Sequence, residues 1–269
     1  MYNSINGTRV AHLNVYHLCN KLPDICLLLD DTPPIHVLGL SETRLTPHVP
    51  DSVLAIPNYN LIRRDKSNPG ETGVAVYVHN DVFSFTRRRL DLETAEVECI
   101  WLELNYSGLP PLLIGNLYRN DSTNHYEWLD NFVHMMERIN VNKNNVLLLG
   151  DFNYNMLKPQ QSWSSNVALF GLQQLVQTAT RVATRSATLI DHIYSNNRSM
   201  VRNVKVLDSN CVSDHYPVTC TWLRKPPKPK TTGHTTIHYR SFKKFNKIAF
   251  LQDLSMAHFD SVLDCPCPV

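Results

Sequence analysis

Leu147-Leu148-Leu149-Gly150-Asp151-Phe152-Asn153 sets a run of buried-type leucines directly against a carboxylate and a carboxamide two residues apart. An extended chain would put Asp151 and Asn153 on the same side. Polar groups at the mouth of a buried strand are costly unless something polar or cationic meets them. The same juxtaposition recurs along the chain. Asn14 lies near the end of the alternating stretch Arg9–Val15, and Glu42 follows the apolar run Ile35–Leu40 within Ser41-Glu42-Thr43-Arg44. Asp191 sits in Thr188–Tyr194, and Ser213-Asp214-His215 immediately precedes Tyr216–Leu223. Any one of these is an ordinary strand end meeting solvent. Converging, the carboxylates would repel each other unless a cation neutralised them. All-oxygen donors suit Mg²⁺ or Mn²⁺ rather than zinc. A metal near an Asp-held histidine is an arrangement for attacking a phosphate with water.

The surrounding pattern supplies elements to hold these residues. Strands are expected at Arg9–Val15, Ile35–Leu40, Tyr59–Arg64, Gly73–His79, Cys99–Leu104, Leu112–Tyr118, Val146–Gly150, Thr188–Tyr194, Val204–Leu207 and Tyr216–Leu223. Phe83–Arg87 is expected to pair with Gly73–His79 across an Asn80-Asp81 turn. Helical spacing predicts helices over 17–30 (despite Pro23), 124–140 and Ser165–Gln177, with a short one over Lys244–Leu254. Strands and helices do not alternate regularly, which argues against a simple doubly wound sheet. A mixed two-sheet α/β sandwich with outer helices fits better.

Composition narrows the class. At 269 residues and 43% hydrophobic, the chain can fold as one large domain and is too apolar for disorder. No apolar run is long enough to span a membrane, and no signal peptide is visible. The seven cysteines lack paired zinc-type spacing and read mostly as buried thiols of an intracellular protein. From Arg224 onward 8 Lys/Arg face 3 Asp/Glu, a net +5, leaving 18 against 21, a net −3, in residues 1–223. The body is slightly acidic and the tail basic, so a nucleic-acid partner would need local basic patches. Arg-Lys-Pro-Pro-Lys-Pro-Lys, opening residues 224–237, reads as a stiff basic linker.

Taken in order, Asn14, Glu42 in Ser-Glu-Thr, Tyr118 in Leu-Tyr-Arg, Gly150-Asp151-Phe152-Asn153, Asp191 in Thr-Leu-Ile-Asp, and Ser213-Asp214-His215 resemble the endonuclease/exonuclease/phosphatase superfamily. Within it the chain is most similar to the apurinic/apyrimidinic-endonuclease-like domain of non-LTR (LINE-type) retrotransposons. The likeness covers roughly residues 9–223, in a domain read as residues 1–223. Residues 238–269 are similar to the connector that follows this domain in such elements, with no reverse transcriptase after it.

The resemblance implies a DNase I-like, four-layer α/β (α+β) sandwich of two packed mixed β-sheets flanked by helices. It implies an Mg²⁺-dependent (Mn²⁺ possible) endonuclease that nicks DNA. Glu42 would hold the metal with Asn14 and Asp214 close by. Asp151 and Asn153 would position the water or the phosphate oxygens. His215, oriented by Asp191, would contact the phosphate or move a proton, and Tyr118 would hydrogen-bond the phosphate. DNA is the implied partner, with element RNA a further one, the nucleus the location, a monomer the state, and no membrane. DNA contacts are expected from Arg119, Thr180, Arg181, Thr188 and Ser213, with Arg185 in the same loop. The basic runs Arg63-Arg64 and Arg87-Arg88-Arg89 are candidate phosphate contacts or solvated faces. The chain departs from the family where Arg-Ser usually follows the asparagine; here Tyr16 and His17 stand there. Other readings are a superfamily phosphatase or phosphodiesterase on a small or lipid substrate, and an inactive relic that binds nucleic acid through its basic tail.

Overall fold

Period-two alternation decides how the chain is layered. The computed structural model describes residues 7–30, 33–67, 71–207, 213–224 and 246–256. Along the chain these form β1 (Thr8–Asn14), α1 (Leu18–Leu29), β2 (Val37–Ser41), β3 (Tyr59–Arg64), β4 (Val74–His79) and α2 (Asn80–Phe83). There follow β5 (Thr86–Arg88), β6 (Glu98–Leu104), β7 (Leu112–Tyr118), α3 (His125–Glu137), β8 (Asn145–Asp151), α4 (Gln161–Leu169) and β9 (Gln173–Gln174). The hairpin β10 (Arg181–Ala183) and β11 (Ser186–Thr188) precedes β12 (Asp191–Ser195), β13 (Val201–Val206), β14 (Val218–Trp222) and α5 (Lys247–Met256). The chain divides into two units, Met1–Pro229 and Lys230–Val269, and α5 is the described part of the second.

Two six-stranded sheets make up the first unit, ordered β13-β14-β1-β2-β4-β3 and β5-β6-β7-β8-β12-β9. Each is mixed: β1 and β2 run parallel, as do β7 and β8, and the other pairs are antiparallel. Alternate residues of each strand enter different cores. Val10 of β1, Val74, Val76 and Val78 of β4, Ile114 of β7, Leu147 and Leu149 of β8, and Ile193 of β12 meet between the sheets. Ala11, Leu13, Leu38, Leu40 and Tyr77 pack with Leu18, Ile25 and Leu29 of α1. Leu113, Leu117, Val146, Leu148 and Tyr194 pack with Trp128, Phe132 and Met136 of α3 and with Trp163 and Val167 of α4. The result is helix, sheet, sheet, helix: the α/β sandwich that the resemblance implies. Among the described residues no helix is long and apolar enough to cross a membrane.

Local chemistry explains where elements stop, and where the sequence reading is corrected. Asn124 caps α3, its side chain accepting from the N–H groups of Tyr126 and Glu127. Phe83–Arg87 does not pair with β4. The His79 imidazole accepts from the Asp81 N–H and starts a helical turn, α2, and the chain then leaves the first sheet so that β5 pairs with β6 in the second. The helix expected over Ser165–Gln177 starts earlier and ends at Leu169. Gly171, at φ 66°, closes it with the Leu172 N–H bonded to the Val167 carbonyl and the Gly171 N–H to that of Ala168. The next residues then pair with β12 as β9. The short last helix begins at Lys247 rather than Lys244 and runs to Met256; residues 225–245 and 257–269, most of the proposed linker and connector, lie outside the described residues. Cys99 and Cys220 are buried free thiols, which burial pushes up to about 12, while Cys19 and Cys26 are half-buried.

Gly150 is required by close approach. A Cβ there would lie 2.0 Å from the Leu117 carbonyl oxygen, its ladder partner on β7. Backbone cannot yield as a flexible side chain can. Gly150→Ala is therefore expected to destabilise the fold by about 3 kcal/mol or more, measured by urea unfolding; a midpoint equal to wild type would refute this packing.

Candidate active site

The face that carries Val10, Ile114, Leu149 and Ile193 inward ends in polar residues at one rim. Three of them share a row of the second sheet: Tyr118 pairs with Asp151 across β7–β8, and Asp151 with Asp191 across β8–β12. On the first sheet Asn14 closes β1 opposite Ser41 of β2, one residue before Glu42. Strand register thus aligns three of the sequence-predicted residues in one row, and the packing of the two sheets brings Asn14 to them.

Asn14 joins the sheets. Its Nδ2 donates to Glu42 Oε1 at 2.8 Å and to Asp151 Oδ2 at 2.8 Å. Its Oδ1 accepts from the Tyr16 N–H at 3.0 Å, which fixes the amide orientation. The Tyr118 hydroxyl donates to the same Glu42 Oε1 at 3.1 Å. Glu42 Oε2 lies 3.9 Å from Arg44 Nη2, outside hydrogen-bond range. Glu42 itself sits at φ 52°, a left-handed conformation that a β-strand end does not favour and that turns the carboxylate to the rim.

Asp151 is 1% exposed. Burial, then the nearby Asp191 carboxylate, push its pKa up to about 7, against the opposing pull of His215 and of the Asn14 and Asn153 N–H donors. The chain does not stay extended to Asn153. That residue takes φ 51°, its N–H donates to Asp151 Oδ1 at 3.1 Å, and its Nδ2 donates to the Arg119 carbonyl at 2.8 Å. The turn rests on an aromatic floor. Phe152 stacks on His192 with ring centroids 5.1 Å apart, and Tyr154 stacks on Trp163 at 4.9 Å. His192 faces this floor, not the rim, and donates from Nε2 to the Tyr154 carbonyl; burial pulls it down to about 4, so it is neutral.

Asp191 and His215 form a buried pair, Nδ1 to Oδ2 at 2.9 Å. Burial opposes the charge on both, but mutual attraction prevails. The His215 imidazolium and the hydrogen bond from it hold Asp191 below the usual carboxylate range. The carboxylates of Asp191, Asp151 and Asp214 lift His215 to about 9. Ser213 links this pair to Asn14, its Oγ donating to the Asn14 carbonyl at 2.6 Å and accepting from the His215 N–H at 3.1 Å.

The expected DNA contacts are distributed differently. Thr180 is fully buried. Its hydroxyl donates to Asp191 Oδ2 at 2.7 Å and accepts from the Asp191 N–H at 3.0 Å, so it orients the carboxylate instead of facing a duplex. Arg119 is also buried, its guanidinium 4.3 Å from the Tyr154 ring centroid, which takes it off the exposed surface. Arg181 is exposed on the β10–β11 hairpin, as is Arg185, and Thr188 is half-buried at its base. Arg181 Nε donates to Asp214 Oδ2 at 2.7 Å, so Asp214 is exposed and already paired. The basic runs are structural. Arg63 bonds Asp51 and Asp65, Arg64 the carbonyls of Thr94, Ala95 and Val97, Arg87 Glu103, Arg88 Glu93, and Arg89 Asp91 and Glu103.

One neighbour escaped the sequence reading. His12, two residues before Asn14 and read as an ordinary core or surface histidine, is buried with Nε2 3.6 Å from Asp191 Oδ1. Its Nδ1 meets Asn116 Oδ1 at 2.9 Å, and Asn116 Nδ2 donates to the Leu40 carbonyl. The period-two spacing to Asn14 was the available signal.

Two sets of side chains could offer ligand atoms to a cation. Asp151, Asp191 and His215 each offer a ligand atom within 4.8 Å of the others. His215 and Asp191 already satisfy each other there, and the imidazolium repels a metal. Glu42 and Asp151 present hard oxygens that converge on the Asn14 amide, a donor set that suits Mg²⁺ or Mn²⁺. The Glu42 side is the better fit.

A model of the Endonuclease/Exonuclease/phosphatase family matches residues 11–215. Among solved structures, the fold is similar to the endonuclease domain of TRAS1, a telomere-specific non-LTR retrotransposon. The TM-score is 0.61 at 12% identity, covering 80% of this chain and 98% of that one. It is similar to the AP endonuclease LMAP from Leishmania major, at TM-score 0.67 and 15% identity over 84% and 90% of the two chains. The 3'-5' exonuclease NExo from Neisseria meningitidis gives TM-score 0.61 and 19% identity over 80% and 99%. At these identities the likeness speaks for the fold. Comparison with curated protein sequences gives no match. The family match runs from β1 through His215 and takes in every residue of the rim, and this chain belongs to the Endonuclease/Exonuclease/phosphatase family.

Proposed function

We propose that this chain is a divalent-metal-dependent endonuclease that hydrolyses one phosphodiester bond of DNA, of the kind carried by non-LTR retrotransposons. The observation that carries the reading is the in-register row of Tyr118, Asp151 and Asp191, closed by Asn14 and His215 at one rim. It sets a carboxylate with a pKa near neutrality beside a carboxylate-held imidazolium. A proton acceptor tuned near the working pH is what water activation needs. A fixed positive donor is what a phosphate gathering charge needs.

In this mechanism Asp151 takes a proton from the attacking water as its oxygen bonds to phosphorus, the ester P–O bond opposite it breaks, and the leaving oxygen takes a proton from solvent. The Asn14 amide and the Asn153 N–H fix its carboxylate. The His215 imidazolium, held by Asp191, which Thr180 orients, faces the phosphate oxygens. The Tyr118 hydroxyl turns from Glu42 to a phosphate oxygen, and Asn153 fixes the turn. Glu42 would hold Mg²⁺ or Mn²⁺, with Asn14 and Asp214 beside it. The bound cation supplies charge neutralisation to the phosphate. Arg181, Arg185 and Thr188 put the hairpin against the duplex. The proposal takes the nucleus as the location, a monomer as the state and element RNA as a second partner.

Purified protein incubated with supercoiled plasmid is expected to give relaxed circles with Mg²⁺ and none with EDTA. Turnover of a small phosphomonoester in place of nicking would overturn this reading in favour of a phosphatase. Salt-sensitive DNA binding without nicking would make the chain a binding relic.

A further inference from the structure

Next to Glu42 lies a pair of residues that the reaction above leaves unused. Tyr16 is 57% exposed, and the Arg44 guanidinium lies 3.9 Å from its ring centroid. Both follow strand ends of the first sheet, Tyr16 after Asn14 and Arg44 after Glu42. Both hold left-handed backbone, φ 60° and 55°. Such conformations are costly for large side chains and persist only where surrounding bonds impose them. Here the Asn14 carboxamide takes the Tyr16 N–H, and the Thr72 carbonyl takes the Arg44 N–H at 2.7 Å.

The pair is not explained by packing or by charge. More than half of Tyr16 faces solvent. Arg44 Nε is buried without a hydrogen-bond partner, and its contact to Glu42 is a loose 3.9 Å. An aromatic ring with a guanidinium on one face leaves the other face for a flat partner, while the guanidinium edge suits a phosphate.

We propose that Tyr16 and Arg44 form a nucleotide-binding platform beside the scissile phosphate, the ring stacking on a base and the guanidinium taking that nucleotide's phosphate. This rests on the reading of the chain as a DNA-cutting enzyme. It adds a determinant of where on the strand the cut falls, since a stacked base fixes the position of its neighbour.

The test measures binding and cleavage separately. Binding of a fluorescein-labelled DNA duplex is followed with Asp151→Asn protein, so that the DNA stays intact, across a range of salt. Tyr16→Ala is expected to weaken binding about tenfold with an unchanged salt slope, and Tyr16→Phe to bind as the parent does. Arg44→Ala is expected to weaken binding and to reduce the slope by about one phosphate contact. Equal affinity for Tyr16→Ala, or a salt slope that Arg44→Ala leaves unchanged, would overturn the platform. In the otherwise wild-type protein, Tyr16→Ala is expected to raise KM for nicking with little change in kcat. A chain that binds with this pattern but does not nick would refute the proposed reaction and leave the platform standing. Nicking with KM unchanged by Tyr16→Ala would refute the platform and leave the reaction standing.

Discussion

Asp151→Asn is expected to reduce the rate of plasmid nicking by about a thousandfold or more. The carboxamide keeps the shape of the carboxylate but has no basicity near neutral pH, and Asp151 is the one carboxylate of the row that burial brings to about 7. The fold should survive the change. Asn14 Nδ2 and the Asn153 N–H both donate to Asp151, so a carboxamide loses one of these two bonds, a cost of about 1 kcal/mol. Removing a charge that sits beside Asp191 works in the opposite direction. Circular dichroism and a thermal melt near wild type, with nicking lost, is the expected pair of results. Activity within tenfold of wild type would remove Asp151 from the reaction.

How much of this was legible in the sequence depends on whether a residue acts along its own strand or across strands. Asp151 and Asn14 were visible because each ends an apolar run, and Asp191 because it stands at the head of one; alternation fixes which core such a run enters. The two-sheet sandwich was legible for the same reason. Thr180 was misjudged because nothing local tells a buried hydroxyl from a loop threonine; its role comes from β12 bringing Asp191 beneath it. His12 is the core residue expected, but its place beside Asp191 was not visible because the two are 179 positions apart in the chain. Arg63, Arg64 and Arg87 to Arg89 looked like one kind of surface, yet Arg64 bonds backbone carbonyls and the others pair with acids such as Asp51, Asp65, Glu93 and Glu103 on neighbouring loops and strands. Gly171 carried a usable stop signal for α4, but the apolar residues after it suggested that the helix went on. Asn153 could not be placed from alternation, because the left-handed turn at that residue cancels it.

The Asp191–His215 pair sets the second large effect, through pH. The active form needs Asp151 ionised and His215 protonated. With these groups at about 7 and about 9, kcat/KM is expected to rise through the first value and fall through the second, with an optimum near their midpoint. A cation held at Glu42 would favour the ionised Asp151 and draw the acid limb below that value. Asp191→Asn removes the charge that holds His215 protonated, so burial then takes the imidazole towards or below its ordinary 6.5. The alkaline limb moves down past neutrality, and at pH 8 the rate is expected to fall about thirtyfold or more. Stability follows the same pair. His215, raised in the folded state, contributes fully below its ordinary 6.5 and loses that contribution as pH rises through about 9. Asp191, lowered in the folded state, contributes above its ordinary 3.8 and loses it only in stronger acid. Between those limits Asp191→Asn should cost about 3 kcal/mol, and the gap from wild type should narrow by pH 10. Urea unfolding at pH 6 and pH 10 measures that gap, and a difference independent of pH would mean that the imidazole is neutral and the pair carries no charge.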